Sequence, residues 1–341
     1  MNASQAPKRV DLKLGYSCND RCLHCVVGDF RKVFSAESRS MDRTTAEYKG
    51  LLTSYRRQGY GHVTITGGEP SIRKDFVDIL RFARAIGFRI GVQTNGRLFS
   101  RKSLMRELDF GKADIAFTVA LHGPTARIHD AITRRPGSHE ETVRGIKNLL
   151  RAGYLVTGKI VLSTMNFRSV KRSVERLIAL GVRSGNIAFP HAQGRAWENF
   201  DAVVPRYRDV LPHVREAVEL QESRSRGVFF DLEMIPLCFL AGREEYCAEL
   251  DYLVWTRSLL DAHGQPSVDW GEARRSIKRK SPECGACRFD AVCEGPWMEY
   301  PARRGHSEFV PVRGGRLPPR ELRRILERRA RARDRAFLVA A

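Results

Sequence analysis

Val10-Asp11-Leu12-Lys13-Leu14-Gly15-Tyr16-Ser17-Cys18-Asn19-Asp20-Arg21-Cys22-Leu23-His24-Cys25 reads as a short strand opening into a cysteine loop. Residues 10–14 alternate apolar and polar side chains, and Gly15 ends the run. The thiols follow with Cys-x3-Cys-x2-Cys spacing. Three thiolates are one short of the four that close an iron–sulfur or zinc site, so one metal position stays open to an exchangeable ligand. His24 could complete a zinc site. However, zinc sites favour Cys-x2-Cys pairs, and His24 and Cys25, being adjacent, would chelate one ion awkwardly.

Downstream of this loop, β-like runs alternate with helical ones. Residues 44–58 predict a helix with Tyr48, Leu51, Leu52 and Tyr55 on one face, and Thr44 with Glu47 forms a capping box at its start. Strands are expected at 63–66, 89–94, 115–121, 156–162 and 186–189, with helices at 75–86, 140–152 and 169–180. Six strands with helical crossovers imply an α/β fold around a parallel sheet, either open and doubly wound or curved into a partial barrel. Ligands then belong at the C-terminal strand ends. After residue 200 the pattern changes to a connecting helix at 203–220, a strand at 228–235, a cysteine-bearing stretch and a basic helix at 318–335 with a thin stripe of Leu322, Ile325 and Leu326.

The net charge is +20, from 59 basic against 39 acidic residues, and it suits anionic partners or reflects an arginine-rich coding bias. No run of about 18 apolar residues occurs, so no membrane span is expected. The polar start, residues 1–10, has no apolar signal core, and a cytoplasmic location is expected. In a reducing compartment, closely spaced cysteines point to metal or redox chemistry rather than disulfides.

The cysteine loop after the first strand resembles the radical S-adenosylmethionine (SAM) superfamily. Thr66-Gly67-Gly68-Glu69-Pro70, after the second strand, resembles that family's motif for the SAM amino group. The resemblance implies a partial (β/α)6 parallel barrel. It also implies a 4Fe–4S cluster on Cys18, Cys22 and Cys25 whose open iron chelates SAM, one-electron cleavage to a 5′-deoxyadenosyl radical, and hydrogen abstraction from substrate. It gives His24 the place of an aromatic residue near the adenine. It assigns Gly67, Gly68, Glu69 and Pro70 to SAM, and sets Asn95 beside the cofactor; Ser163, after the fifth strand, is a polar strand-end residue expected to contact SAM or substrate. His122, in Leu121-His122-Gly123-Pro124, faces the expected mouth as the candidate catalytic group, either positioning substrate or moving a proton. Asn166, His191 and Gln193 are further polar strand-end residues.

Cys238, Cys247, Cys284, Cys287 and Cys293 form a second group. Gly242-x4-Cys247 followed by Cys284-x2-Cys287-x5-Cys293 resembles the SPASM extension or its shorter twitch form, with Trp297 where the SPASM pattern has a final cysteine. This implies a small C-terminal cysteine-rich domain with one auxiliary 4Fe–4S cluster. Cys238, Cys284, Cys287 and Cys293 are the preferred ligands, with Cys247 as a substitute. One structural zinc is the competing reading. The expected organisation is a catalytic barrel at 1–200, a connecting segment at 201–235, the auxiliary domain at 236–300 and a basic tail at 301–341. The resemblance implies an enzyme that modifies a ribosomally made peptide, reduced by a flavodoxin or ferredoxin. Three alternatives are chemistry on a sugar, nucleoside or amino-acid derivative, RNA modification, and a non-enzymatic iron–sulfur or zinc module.

Overall fold

The computed structural model describes residues 8–28, 43–224, 227–253, 257–261 and 267–338. Residues 1–7, the first seven of the polar N-terminal run, lie outside them. One nine-stranded sheet organises the chain: β1 (Lys8–Lys13), β2 (His62–Thr66), β3 (Arg89–Thr94), β4 (Ile115–Ala120), β5 (Leu155–Val161), β6 (Ser184–Ala188), β7 (Phe229–Glu233), β8 (Arg257–Asp261) and β9 (Val268–Asp269). Its order is β7-β6-β5-β4-β3-β2-β1-β8-β9, and every pair is parallel except β8–β9. The two edges do not meet, so the sheet is a partial barrel.

The six expected strands are its centre, and two later segments extend it. β7 continues the row beyond β6, with Ser184 opposite Phe229. β8 lies on the other side of β1, with Lys8 opposite Arg257. The sheet therefore draws on chain well past residue 200.

The strands alternate because only their outer face is covered by helices. Val10, Leu12, Val63, Ile65, Phe117 and Val119 are buried there, while their neighbours line the concave side. The main helices are α1 (Thr45–Arg57), α2 (Phe76–Ala85), α3 (Ser138–Arg151), α4 (Val170–Ala179), α5 (Tyr207–Ser223) and α6 (Pro319–Leu338). The Thr44–Glu47 capping box on α1 is formed in both directions. α6 docks through buried Ile325 and through Arg329, whose guanidinium donates to Asp231 on β7 at 2.7 Å and to Asp251 at 2.7 and 2.8 Å. Among the described residues, no helix is long and apolar enough to cross a membrane.

Candidate active site and the two cysteine centres

A cleft of about 690 Å³ runs along the concave face of the sheet and opens at the C-terminal strand ends. Cys18, Cys22 and Cys25 line it together. Their loop is fixed first by backbone. Leu14 N donates to Thr66 O at 2.8 Å, Gly68 N to Gly15 O at 2.9 Å, and Glu69 N to Ser17 O at 2.8 Å. A Cβ on Gly67, which has φ +142°, would strike Gly15 O, and one on Gly68 would strike the carbonyls of Tyr16 and Ser17. The paired glycines thus let the second strand's turn press against the cysteine loop. Both also line the cleft.

Glu69 lines the cleft too, but its oxygens are occupied. Oε1 accepts from Ser71 N (3.1 Å), Ser71 Oγ (2.6 Å) and Thr94 Oγ1 (2.7 Å), and Oε2 accepts from Asn95 N (2.7 Å). Burial raises its carboxyl pKa, against the pull of these donors. Its visible work is bracing the end of β2 to the end of β3. Pro70 is buried and starts a tight turn behind Glu69, away from the cleft lining.

Asn95 Nδ2 donates to Asn19 Oδ1 at 2.6 Å, joining β3's end to the cysteine loop. Arg97 strengthens that joint. Its Nη1 donates to Asn19 O and Asp20 Oδ1, both at 2.7 Å, and its Nε donates to Glu141 Oε2 at 2.6 Å. Arg97 and Asp20 are both buried, and burial raises the Asp20 pKa while Arg97 lowers it. Sequence reasoning missed Arg97, because a loop arginine two residues past Asn95 has no pattern that announces a buried partner 77 positions upstream.

The histidines form a contact ladder. The His24 ring meets His122 edge-on at 4.6 Å, and His122 stacks on His129 at 5.8 Å. His122 Nδ1 accepts from Val161 N at 3.2 Å, which leaves the ring proton on Nε2. Burial pushes His24 down to about 4 and His122 well below its usual range, so both are neutral at physiological pH. Burial favours His122 as a neutral donor toward the cleft.

Ser163 does not reach the cleft. Its N and Oγ both donate to Asn166 Oδ1, at 2.7 and 3.2 Å, and Asn166 Nδ2 donates to His122 O and Val161 O. This loop closes on itself behind His122. Lys159 on β5 pairs with Glu233 on β7 at 2.6 Å, inside the cleft.

The second cysteine group divides. Cys238, Cys284, Cys287 and Cys293 line one small cavity with Pro236, Pro296 and Phe309. Burial, then the neighbouring thiols, pushes Cys238 up to about 12. Cys247 is absent from that lining; its buried thiol donates to Glu249 Oε2 at 3.4 Å. Trp297 lines the catalytic cleft instead and stacks on His191 at 3.9 Å. None of the eight cysteines is in a disulfide.

A profile described as the radical SAM superfamily matches residues 12–187, just over half of the 341-residue chain. The chain belongs to the radical SAM superfamily. Relatives span most of its length. An AdoMet-dependent heme synthase of Methanosarcina barkeri is 23% identical over 332 residues, 86% of this chain and 91% of that protein. The PqqA peptide cyclase of Rhodopseudomonas palustris is 25% identical over 241 residues, 71% of this chain and 62% of that protein. Streptococcus suis SuiB, solved with its precursor peptide SuiA, matches with a TM-score of 0.61 at 14% identity, covering 90% of this chain and 75% of that one. At that identity the likeness is one of fold. As a radical SAM enzyme the protein uses a 4Fe–4S cluster and SAM. The residues present fit that pair: Cys18, Cys22 and Cys25 all line one open cleft, whose volume suits a cofactor and a substrate group.

Proposed function

We propose that the protein modifies a peptide by radical chemistry, with Cys18, Cys22 and Cys25 holding the catalytic cluster and the cleft beside them holding SAM. The carrying observation is the cleft itself, which extends from the cysteine loop along the whole concave face to Trp297. Such a trough suits a chain segment better than an enclosed cavity would. The solved SuiB–SuiA complex and the PqqA peptide cyclase add support from relatives that act on or bind peptides. When bound, the cluster and SAM supply a 5′-deoxyadenosyl radical. The protein's own part is positional. Asn95, Arg97 and Glu69 hold the thiol loop at the strand ends. The glycine pair keeps that loop close to β2. The His24–His122 pair, held neutral by burial, lines the cleft and would add no positive charge there against a cationic cofactor.

Cys238, Cys284, Cys287 and Cys293 are proposed to hold an auxiliary 4Fe–4S cluster in the cysteine region at 236–300, with Cys247 outside the ligand set. Four protein thiolates favour electron transfer or structure over substrate ligation. A flavodoxin or ferredoxin is the proposed reductant. A second reading, chemistry on a small metabolite, is favoured by the heme synthase match, which spans 91% of that relative.

Reconstituted, reduced enzyme is incubated with SAM and with peptides translated from short reading frames beside the gene. Mass change of a peptide with stoichiometric 5′-deoxyadenosine supports the proposal. Turnover of a metabolite with no peptide modified supports the second reading. Failure of the fully loaded enzyme to cleave SAM sinks both.

A further inference from the structure

The loop after β6 joins the two cysteine centres. At one end Arg195 N donates to Cys25 O at 3.0 Å and Arg195 Nη1 to Arg21 O at 2.8 Å. A Cβ on Gly194, which has φ +58°, would strike the carbonyls of Cys25 and Val26. At the other end the His191 ring lies against Trp297, 3.9 Å away and 12° from parallel. Trp297 directly follows Gly295 and Pro296, which line the four-thiol cavity. His191 and Trp297 both line the cleft.

An acid sets the His191 ring. Its Nε2 stands 3.5 Å from Glu299 Oε2, with the two side chains 15% and 14% exposed, and Gln193 Nε2 donates to the other oxygen, Oε1, at 2.9 Å. His191 Nε2 and Glu299 Oε2 are buried and have no polar partner but each other among the described residues. Burial raises the Glu299 pKa, but His191 and Gln193 outweigh it and hold the carboxyl below its usual range. A carboxylate against Nε2 keeps the ring hydrogen there and leaves the lone pair on Nδ1. Nδ1 has no hydrogen-bond partner among the described residues and is not one of the ring's buried atoms, so this edge of the ring is the open one. His122 differs, because its Nδ1 is taken by Val161 N. An imidazole backed by a carboxylate, with that carboxylate held by a third side chain and the second nitrogen open, has the parts of a general base.

We propose that His191 is the proton acceptor of the cleft. Its Nδ1 lone pair takes a proton from a substrate N–H, O–H or S–H group, the electron pair of the broken bond stays on the heteroatom, and the imidazolium that forms is held by Glu299. Hydrogen-atom abstraction carries away no charge, so a substrate heteroatom that must form a new bond loses its proton in a separate step. The inference rests on reading the cleft as the substrate site.

Two measurements on reconstituted holoenzyme test it, and the first needs no substrate. The charged groups around the stack are Glu299 at Nε2 and Lys278, which lies 4.9 Å over the Trp297 ring and is itself paired with Glu294. In holoenzyme carrying isotope-labelled histidine, with SAM bound, nuclear magnetic resonance must show His191 with hydrogen on Nε2 alone at about pH 8 and a second hydrogen on Nδ1 at about pH 5. A ring that keeps one protonation state throughout, or that carries its single hydrogen on Nδ1, overturns the proposal. The second measurement follows a peptide that the reading-frame screen shows to be modified. His191→Gln should lower product formed per 5′-deoxyadenosine by about 100-fold or more, the contribution expected of a general base. Glu299→Gln should lower it less, and imidazole added to His191→Gly should restore part of it. A ratio equal to that of the wild type, whatever the rates, marks a structural role and overturns the proposal, and so does a failure of imidazole to restore product. If His191→Gln does not fold, Glu299→Gln carries the ratio test. A screen in which no peptide is modified sinks the peptide reading alone, and the protonation of His191 then decides the base.

Discussion

The two cysteine centres sit on one chain but are built on different principles. The first is a loop hung from strand ends. Its thiols face an open cleft, and its position comes from a hydrogen-bonded brace running through Glu69, Asn95 and Arg97. The second is a knot of short turns around a small cavity with apolar lining. Its outer frame is ionic: Lys280 pairs with Asp290, and buried Lys278 reaches Glu294 and Glu249. An open, braced loop suits exchange of a ligand at a vacant metal position. A closed pocket with four thiols suits a group that stays. The contrast teaches that the two sites should respond separately to mutation, although one cleft wall, through Trp297, is shared with the second region.

The largest effect tests that separation directly. Cys18→Ala, Cys22→Ala or Cys25→Ala should abolish 5′-deoxyadenosine release and leave about four of about eight irons per chain. Release that persists in all three variants breaks the assignment. In the second centre, Cys287→Ala should remove about four irons while SAM cleavage without peptide turnover continues, and Cys247→Ala should keep the full iron content. Iron analysis beside a product assay reads both. Loss of all iron in Cys287→Ala would mean that the two centres form one metal-dependent folding unit.

A smaller effect concerns the braces. Arg97→Met removes the guanidinium that donates to buried Asp20, a change that costs about 3–5 kcal/mol where a buried pair is broken. It should lower the melting temperature and raise the KM for SAM, with auxiliary iron intact. Lys278→Met, which takes from Glu294 one of its two cations and leaves Arg274, should do the reverse: auxiliary iron falls and the KM for SAM holds. Similar losses at both sites from either variant would erase the distinction drawn here.

How much of this could be read from sequence follows from the range of the interactions. The central strands and their helices were legible because period-2 and period-3.6 patterns are local, and Thr44–Glu47 announces its helix within four residues. The thiol loop was legible for the same reason. β8 was not: its five residues gain their place only by lying beside β1, some 250 positions away. The 228–235 run was legible as a strand, but its seat beside β6 was not. Glu69 and Ser163 share one feature that spacing does not show. Each sits where a ligand contact was expected, yet each is satisfied by a neighbour two or three residues on, Ser71 and Asn166. Spacing shows that a polar side chain is near a strand end; it does not show which donor or acceptor reaches it first. Cys247 is alike in this: its nearest acceptor, Glu249, lies two residues on.

The smallest predicted effect comes from the histidine ladder behind the first centre, which has no counterpart among the described residues of the second. His129 is buried, and its Nδ1 accepts from His122 N at 3.0 Å. Burial first, then His139, push its pKa down to about 3, with Asp130 opposing. A folded pKa below the ordinary value of about 6.5 means that the unfolded chain binds the extra proton between those two values. The stability this neutral imidazole permits is therefore complete above about pH 6.5 and is lost as pH falls toward 3, by at most about 1.4 kcal/mol per unit. Melting temperatures between pH 7.5 and 5 should fall in the wild type, and His129→Gln, which keeps a polar group without a proton to gain, should flatten that slope. An unchanged slope in the variant would move the acid sensitivity elsewhere. If the slope flattens while auxiliary iron is retained across the same range, the pH response belongs to the first centre's wall and not to the cysteine knot.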